Sequence, residues 1–317
     1  MEPWIIAIFI IGYLCITTEH QIKVDKTISA LAMAVICWTL LKVSNIDVME
    51  VSNGILVPSD PADNATAIDK ALQHHLAETA EILFFLIGAM TIVEIIDMHR
   101  GFEIIKRLIR TQSKVKLLWI IGIIGFFLSA IIDNLTTTII LITILRKLIP
   151  DQKERIWYAS LIVIAANAGG AWSPIGDVTT TMLWVKGKVT AAKLVEYVLI
   201  PAIVCLVVPL LIASFLPVFK GKIDTSNSEK GVTYKSSMPV LSIGFIAIIF
   251  VPIFKSITHL PPYIGMLFAL ATMWFVGEKL KPISELNDED SEKFGIHRAL
   301  SRIEFSSILF FLGILLA

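Results

Sequence analysis

Residues 129–138 read Ser129-Ala-Ile-Ile-Asp133-Asn134-Leu-Thr136-Thr137-Thr138, a polar island inside the apolar run 117–149. An aspartate in a spanning segment costs about 2.5–3.5 kcal/mol on insertion scales, so its presence asks for a reason. Asp133 offers a carboxylate, Asn134 an amide oxygen, and Thr136, Thr137 and Thr138 hydroxyls. These are hard oxygen donors, suited to a hard cation such as Na⁺. The flanks add a topological signal. Arg100, Lys106, Arg107, Arg110, Lys114 and Lys116 precede the run, and Arg146, Lys147, Lys153 and Arg155 end it. Cationic loops stay on the cytoplasmic side. Two cytoplasmic flanks make 117–145 a re-entrant helical hairpin with its tip near Asp133 and Asn134.

A second stretch has the same make-up. Asn167-Ala-Gly169-Gly170-Ala-Trp172-Ser173-Pro174-Ile-Gly176-Asp177-Val-Thr179-Thr180-Thr181 falls inside the candidate span 156–185. Gly169, Gly170, Pro174 and Gly176 interrupt a helix there. Broken backbone at membrane depth is tolerated where it is buried or lines a cavity. Its freed carbonyls and half-helix ends can then coordinate an ion. Asp177 supplies a second carboxylate. Asn167, Ser173, Thr179 and Thr180 supply further neutral oxygens. The two stretches are expected to face each other. Glu94, inside the span 81–97, is a candidate proton relay. Asp97, His99 and Arg100 are expected at the cytoplasmic interface.

The rest of the chain fits a polytopic α-helical membrane protein. Its 317 residues are 56% hydrophobic and 17% charged, with a mean hydropathy of +0.77. A soluble domain carries about 25% charge. That composition excludes disorder, collagen, a disulfide-rich secreted domain and almost any soluble enzyme. The zero net charge gives no reason to expect a nucleic-acid partner. Cys15, Cys37 and Cys205 stand alone in apolar runs and read as small core residues. Candidate spans lie near 3–17, 27–43, 81–97, 117–149, 156–185, 194–216, 239–256 and 262–277, and another run opens near 304. The run Ile303–Ala317 is short for a crossing, which suggests a piece of a longer protein.

An internal repeat sets the organisation. Glu81-Ile-Leu-Phe-Phe-Leu-Ile-Gly88 matches Ser307-Ile-Leu-Phe-Phe-Leu-Gly313, and Ile28–Leu40 aligns with Ile264–Val276, with Trp38 opposite Trp274. By loop charge 27–43 runs outward and 262–277 inward; 81–97 runs inward and the run from 304 outward. Antiparallel pairs of this kind mark an inverted-topology repeat, common in secondary transporters. The expected organisation is an N-terminal helix over 1–17 and a first repeat over 18–216. A cytoplasmic linker over 217–238 leads to the start of a second, incomplete inverted repeat over 239–317. The long 44–80 segment is expected to be an outside loop.

The segments DNLTTT (133–138) and NAGGAWSPIGDVTT (167–180) resemble the signature segments of NhaD-type sodium/proton antiporters in the ion transporter superfamily. LPPYIGMLFALATMWFVGE (260–278) and SSILFFLGILLA (306–317) resemble the same family. The resemblance spans most of the chain. It implies exchange of Na⁺ or Li⁺ for H⁺ in a bacterial inner membrane, with a plastid envelope as the lesser alternative. It also implies two inverted repeats, each with a re-entrant hairpin followed by a broken helix. Carried onto this sequence, it puts Asp133 and Asn134 at the first hairpin tip beside Thr136–Thr138. It puts Asn167, Ser173, Asp177, Thr179 and Thr180 on the first broken helix. A second hairpin and broken helix would lie beyond Ala317. The transported ions are the only ligands expected, with no cofactor, and a homodimer is left open.

The chemistry expected is competition. Desolvation disfavours the charged form of a carboxylate, Na⁺ favours it, and a proton displaces Na⁺. Asp133 and Asp177 are the expected exchange groups. A Na⁺-coupled or uncoupled anion transporter of the same superfamily, for dicarboxylate or arsenite, is the alternative. An intramembrane aspartyl protease is a remote one, since Pro174 stands where the GxGD pattern of those enzymes has its first Gly before Asp177.

Overall fold

The structure, a computed structural model, describes residues 2–44, 49–52, 55–58, 64–109, 111–149, 151–223, 233–282 and 295–317. Arg110, one of the cationic residues before the hairpin, lies outside the described residues. Apart from one short hairpin, β1 (Met49–Ser52) with β2 (Ile55–Pro58), the described elements are helical. Five of them are long and apolar enough to cross a membrane: α3 (Lys26–Val43), α4 (Asn64–Met98, apolar from Thr66), α6 (Lys114–Ile131), α10 (Ala191–Ser214) and α11 (Ser237–Thr258). The other helices are α1 (Glu2–Thr17), the short α2 (Glu19–Ile22) and α5 (Glu103–Leu108), α7 (Asn134–Leu148), α8 (Gln152–Ala171), α9 (Val178–Val185), α12 (Pro262–Lys279), α13 (Ile296–Arg302) and α14 (Phe305–Leu316). The chain is an all-α, multi-pass membrane protein.

One expectation changes. The outside loop 44–80 is helical from Asn64 onward, because α4 runs 35 residues, about 52 Å. Its first half, Asn64–Ala80, holds five alanines and two leucines and neither Gly nor Pro, so good helix formers continue the apolar helix without an interruption.

The chain divides into two units, Met1–Ile87 with Glu304–Ala317, and Gly88–Ile303. In the first, Gly12 of α1 lies under Met33 of α3, where a Cβ would meet the sulfur at 2.5 Å. α3 and α14 run side by side in the same direction: Thr27 Oγ1 donates to Ser306 O (3.2 Å) at one end, and Trp38 Nε1 to Leu316 O (2.7 Å) at the other. Between these ties, Gly313 presses on the backbone of Ala30 and Leu31. Among lipid tails helices gain nothing from hiding apolar surface, so close approach over small residues carries their packing.

In the second unit the same pattern recurs between α4 and α12. Gly88 packs on Met266 and Gly277 on Ile95, so these two helices are also parallel. The aligned repeat puts Ala30 opposite Met266 and Gly313 opposite Gly88. Each glycine therefore meets the matched position of its own neighbour.

α6 and α7 form an antiparallel hairpin. Gly125 faces Leu141 Cδ1, and both lie about two turns from the bend at Ile132 and Asp133. α8 runs parallel to α6. Lys114 pairs with Glu154 and takes the Tyr158 hydroxyl on its carbonyl (2.8 Å). Further along, Gly169 sits on Phe126. α10 returns antiparallel, with Gly122 on Leu210 and Trp119 Nε1 donating to Ser214 Oγ (3.0 Å). Ile121, Phe126, Leu141, Leu145, Tyr158, Ile162 and Leu206 fill the centre of this group.

Candidate functional site

Two aspartates end the interruptions of the hairpin and of the broken helix, and each caps the half-helix that follows. Ile132 and Asp133 are extended, and Asp133 Oδ1 accepts from Thr136 N (2.7 Å) at the start of α7. Its other oxygen, Oδ2, accepts from Thr136 Oγ1 (2.6 Å). At Trp172–Gly176 the helix α8 gives way to bends, and Asp177 Oδ1 accepts from Thr179 N (2.8 Å) at the start of α9. A carboxylate at a helix N-terminus answers unpaired N–H groups and the positive end of the dipole.

The two interruptions meet through one side chain. The Asn134 amide nitrogen lies 2.7 Å from Asp177 Oδ2 and 3.0 Å from Asn167 Oδ1. Asn167 is oriented in turn by donating its amide to Val163 O (2.8 Å). This brings the hairpin tip level with the break. α9 carries the chain 8 residues further, about 12 Å.

Glycines permit the approach. A Cβ on Gly169 would lie 2.1 Å from Phe126 O, and one on Gly176 2.3 Å from Ser129 O. Backbone meets backbone at both points, so no side-chain rearrangement could make room. Trp172 stacks on Phe126 from the same side, with ring centroids 5.9 Å apart.

The hydroxyls divide by role. Thr180 Oγ1 donates to Ser173 O (2.9 Å) and lies 3.0 Å from Asp177 O. Thr181 does the same to Pro174 O (2.9 Å). Together they fold the break back onto the first turn of α9. Ser173 Oγ accepts from Ile175 N (3.3 Å) within the break. Thr138 Oγ1 donates to Asn134 O (2.7 Å). Thr137 is fully buried and its hydroxyl has no hydrogen-bond partner among the described residues, which also holds for Ser129 at the end of α6. Asp133, Asn134 and Asp177 are half-buried; Asn167 and Thr179 are exposed.

Glu94 does not join this cluster. It lies against Arg302, whose Nε is 3.6 Å from Glu94 Oε2 and whose Nη1 is 3.6 Å from Asp97 Oδ2. His99 also departs from its interfacial expectation. It is 2% exposed, with Nδ1 2.9 Å from Ser236 Oγ, a backbone hydrogen bond with Gly277, and its carbonyl taking the Ser237 hydroxyl at 2.6 Å. Burial pushes its pKa down to about 4, against a smaller rise from the Gly277 bond. Sequence reading passed over Lys255, whose ammonium reaches Trp184. A lone lysine beside the apolar run, in the last turn of α11, is the signal that could have found it.

The citrate transporter family model matches residues 7–317. Sodium/proton antiporter 1 of Arabidopsis thaliana is 39% identical over 315 residues, covering 98% of this chain and 50% of that protein. Sodium/proton antiporter 2 of the same plant is 38% identical over 314 residues, covering 98% and 70%. The Na⁺/H⁺ antiporter NhaD of Alkalimonas amylolytica is 31% identical over 336 residues, covering 98% and 65%. The chain thus spans about half the length of the first of these relatives and more of the others.

Proposed function

We propose that this chain, which belongs to the citrate transporter family, is the ion-binding part of a secondary transporter that exchanges Na⁺ or Li⁺ for H⁺. The observation that carries this reading is the Asn134 amide held between Asp177 and Asn167, which joins a hairpin tip to a helix break. Because Asn134 uses its nitrogen for both contacts, its Oδ1 is left as a neutral donor. With Asp177, Asp133, Asn167, Thr179 and Thr180 it offers a hard-oxygen set of the kind Na⁺ favours. The names of the relatives support Na⁺ and H⁺.

The mechanism is exclusion at a shared carboxylate. Na⁺ favours the ionised form of Asp177 and Asp133; protonation removes the charge that holds Na⁺. Only the cation-bound or protonated site crosses, so the two gradients are coupled without leak. The matched packing of Gly88 on Met266 and Gly313 on Ala30 supports an inverted repeat. Movement of the hairpin and broken helix against other helices would then give alternating access. With α6 and α8 both starting at basic loops, and α9 continuing beyond the tip, the hairpin is re-entrant from the cytoplasmic side. The domain division at 18–216, 217–238 and 239–317 belongs to this same reading. So do a bacterial-type inner membrane, Li⁺ as a substrate and a homodimer.

A second reading takes the family description literally, as transport of a carboxylate anion. The N-termini of α7 and α9 point to it, since such ends attract anions. Asp133 and Asp177 already cap both ends, so a bare anion would face two like charges. The test uses the complete reading frame in antiporter-deficient bacteria, with everted vesicles acidified by respiration. Collapse of ΔpH on adding Na⁺ or Li⁺, lost in Asp133→Asn, supports exchange. Absence of any response in well-expressed protein, with Na⁺-dependent citrate uptake instead, selects the anion reading.

A further inference from the structure

We propose that Lys255 is a positioning residue for the ion site, tethering the far end of α9 so that Asp177, Thr179 and Thr180 at its near end keep their place. The inference rests on the function proposed above. α9 has 8 residues and is isolated by the break on one side and the Gly187 turn on the other. Asp177 caps its N-terminus. At its C-terminus Trp184 O accepts from Gly187 N (3.1 Å), where Gly187 takes a left-handed φ of +67°. The same carbonyl accepts from Lys255 Nζ at 2.6 Å.

The ammonium also sits 4.6 Å from the Trp184 ring centroid. Trp184 is 2% exposed, so the pair is shielded from solvent on one side. A cation at a helix C-terminus completes the last carbonyls and favours the negative end of the dipole. Lys255 is half-buried in the last turn of α11, and the Trp184 carbonyl and ring are two of the contacts its ammonium makes. α11 opens the second half of the chain, whereas α9 belongs to the broken helix. Lys255 therefore links the ion site to an element the site itself does not contain. A rigid rod about 12 Å long transmits a shift at Trp184 to the oxygens around Asp177.

The experiment measures apparent KM and Vmax for Na⁺ in the vesicle assay with the complete protein, as wild type, Lys255→Met, Lys255→Arg and Trp184→Phe. Hydrogen–deuterium exchange over 178–188 is followed in parallel in detergent. Methionine keeps the apolar stem and loses the charged donor. We expect its KM to rise about tenfold, the loss of one charge-assisted hydrogen bond, with Vmax within about twofold. Arginine keeps both contacts and should restore KM. Trp184→Phe keeps the backbone carbonyl, weakens the ring contact and should raise KM by a smaller factor. Exchange over 178–188 should quicken in Lys255→Met while 114–131 is unchanged. An unaltered KM in Lys255→Met overturns the proposal, as does loss of Vmax at constant KM or unchanged exchange over 178–188. If Lys255→Met does not fold, an unaltered KM in Trp184→Phe overturns it. Wild-type protein silent to Na⁺ and Li⁺ would defeat the transport reading instead, and the exchange data would still decide whether Lys255 holds α9.

Discussion

The proposed ion site and the His99 cluster are both polar places in an apolar protein, built on opposite plans. Around His99 the groups are neutral and closed: Ser236, Ser237 and Gly277 tie the imidazole and its carbonyl to the start of α11 and the end of α12. Around Asp177 the groups are ionisable and partly open, with Asn167 exposed and one amide spanning the gap. A buried neutral network fixes helices in place. A site that must load and release an ion needs charge that its partners do not cancel. The same contrast repeats between the two aspartates. Asp133 closes both oxygens on Thr136, in its own helix, whereas Asp177 gives one oxygen to Thr179 and the other to the facing hairpin.

The largest expected effect breaks that second contrast. Asparagine caps a helix as well as aspartate, so Asp133→Asn keeps its cap and removes the charge, whereas Asp177→Asn keeps the cap to Thr179 but removes both the charge and the acceptor for the Asn134 amide. Both should abolish cation-dependent ΔpH collapse with normal membrane insertion. Retained exchange in Asp133→Asn would reduce Asp133 to a cap.

The next effect concerns how the two interruptions are held together. Gly169→Ala puts a methyl onto the Phe126 carbonyl, and it should lower unfolding free energy by about 3 kcal/mol. Thermal unfolding in detergent measures this; an unchanged Tm would show that α6 and α8 have slack.

The His99 cluster should give stability a pH dependence of its own. The pKa of His99 is lowered on folding, to about 4 from 6.5. Its neutral form is the one the fold accommodates, so its contribution is intact above pH 6.5. It is lost as pH falls from 6.5 toward 4, because the unfolded chain binds the proton first. The loss should approach about 2–3 kcal/mol at pH 4. Stability measured from pH 7 to 4 should slope less in His99→Gln; equal slopes would place the titration elsewhere.

The smallest effect is at Thr180, whose hydroxyl binds the break to α9. Thr180→Val should cost about 1 kcal/mol, read as a modest rise in KM for Na⁺. A variant indistinguishable from wild type would mean the fold of the break does not depend on it.

Much of this was legible in sequence because membranes make polar residues expensive. Asp133 and Asp177 stand out of apolar runs, and the glycine and proline spacing over 169–176 announces a break. Loop charge gave directions that match the helix pairings, with α3 parallel to α14 and α4 parallel to α12. Less legible were features that depend on who packs against whom. His99 looks interfacial beside Asp97 and Arg100, and only the approach of α11 and α12 buries it. Asn134 could have served as a ligand, a cap or a bridge; its bridging role needs the separation of 33 and 43 residues to close in space. Glu94 stands out in sequence as ionisable and deep, but its nearness to Arg302 depends on where α13 comes to lie. The polar first half of α4 carries no break, so the helix runs on into what reads as a loop.

Proton release on cation binding tests the central claim most directly. The complete protein, purified in weakly buffered detergent above pH 7, would receive Na⁺ or Li⁺ while pH is followed. Competition at Asp133 and Asp177 predicts saturable proton release on addition of either ion, with none from choline and none in Asp177→Asn. Na⁺ binding demonstrated by the same protein without proton release, or release undiminished in Asp177→Asn, would contradict exchange at this carboxylate.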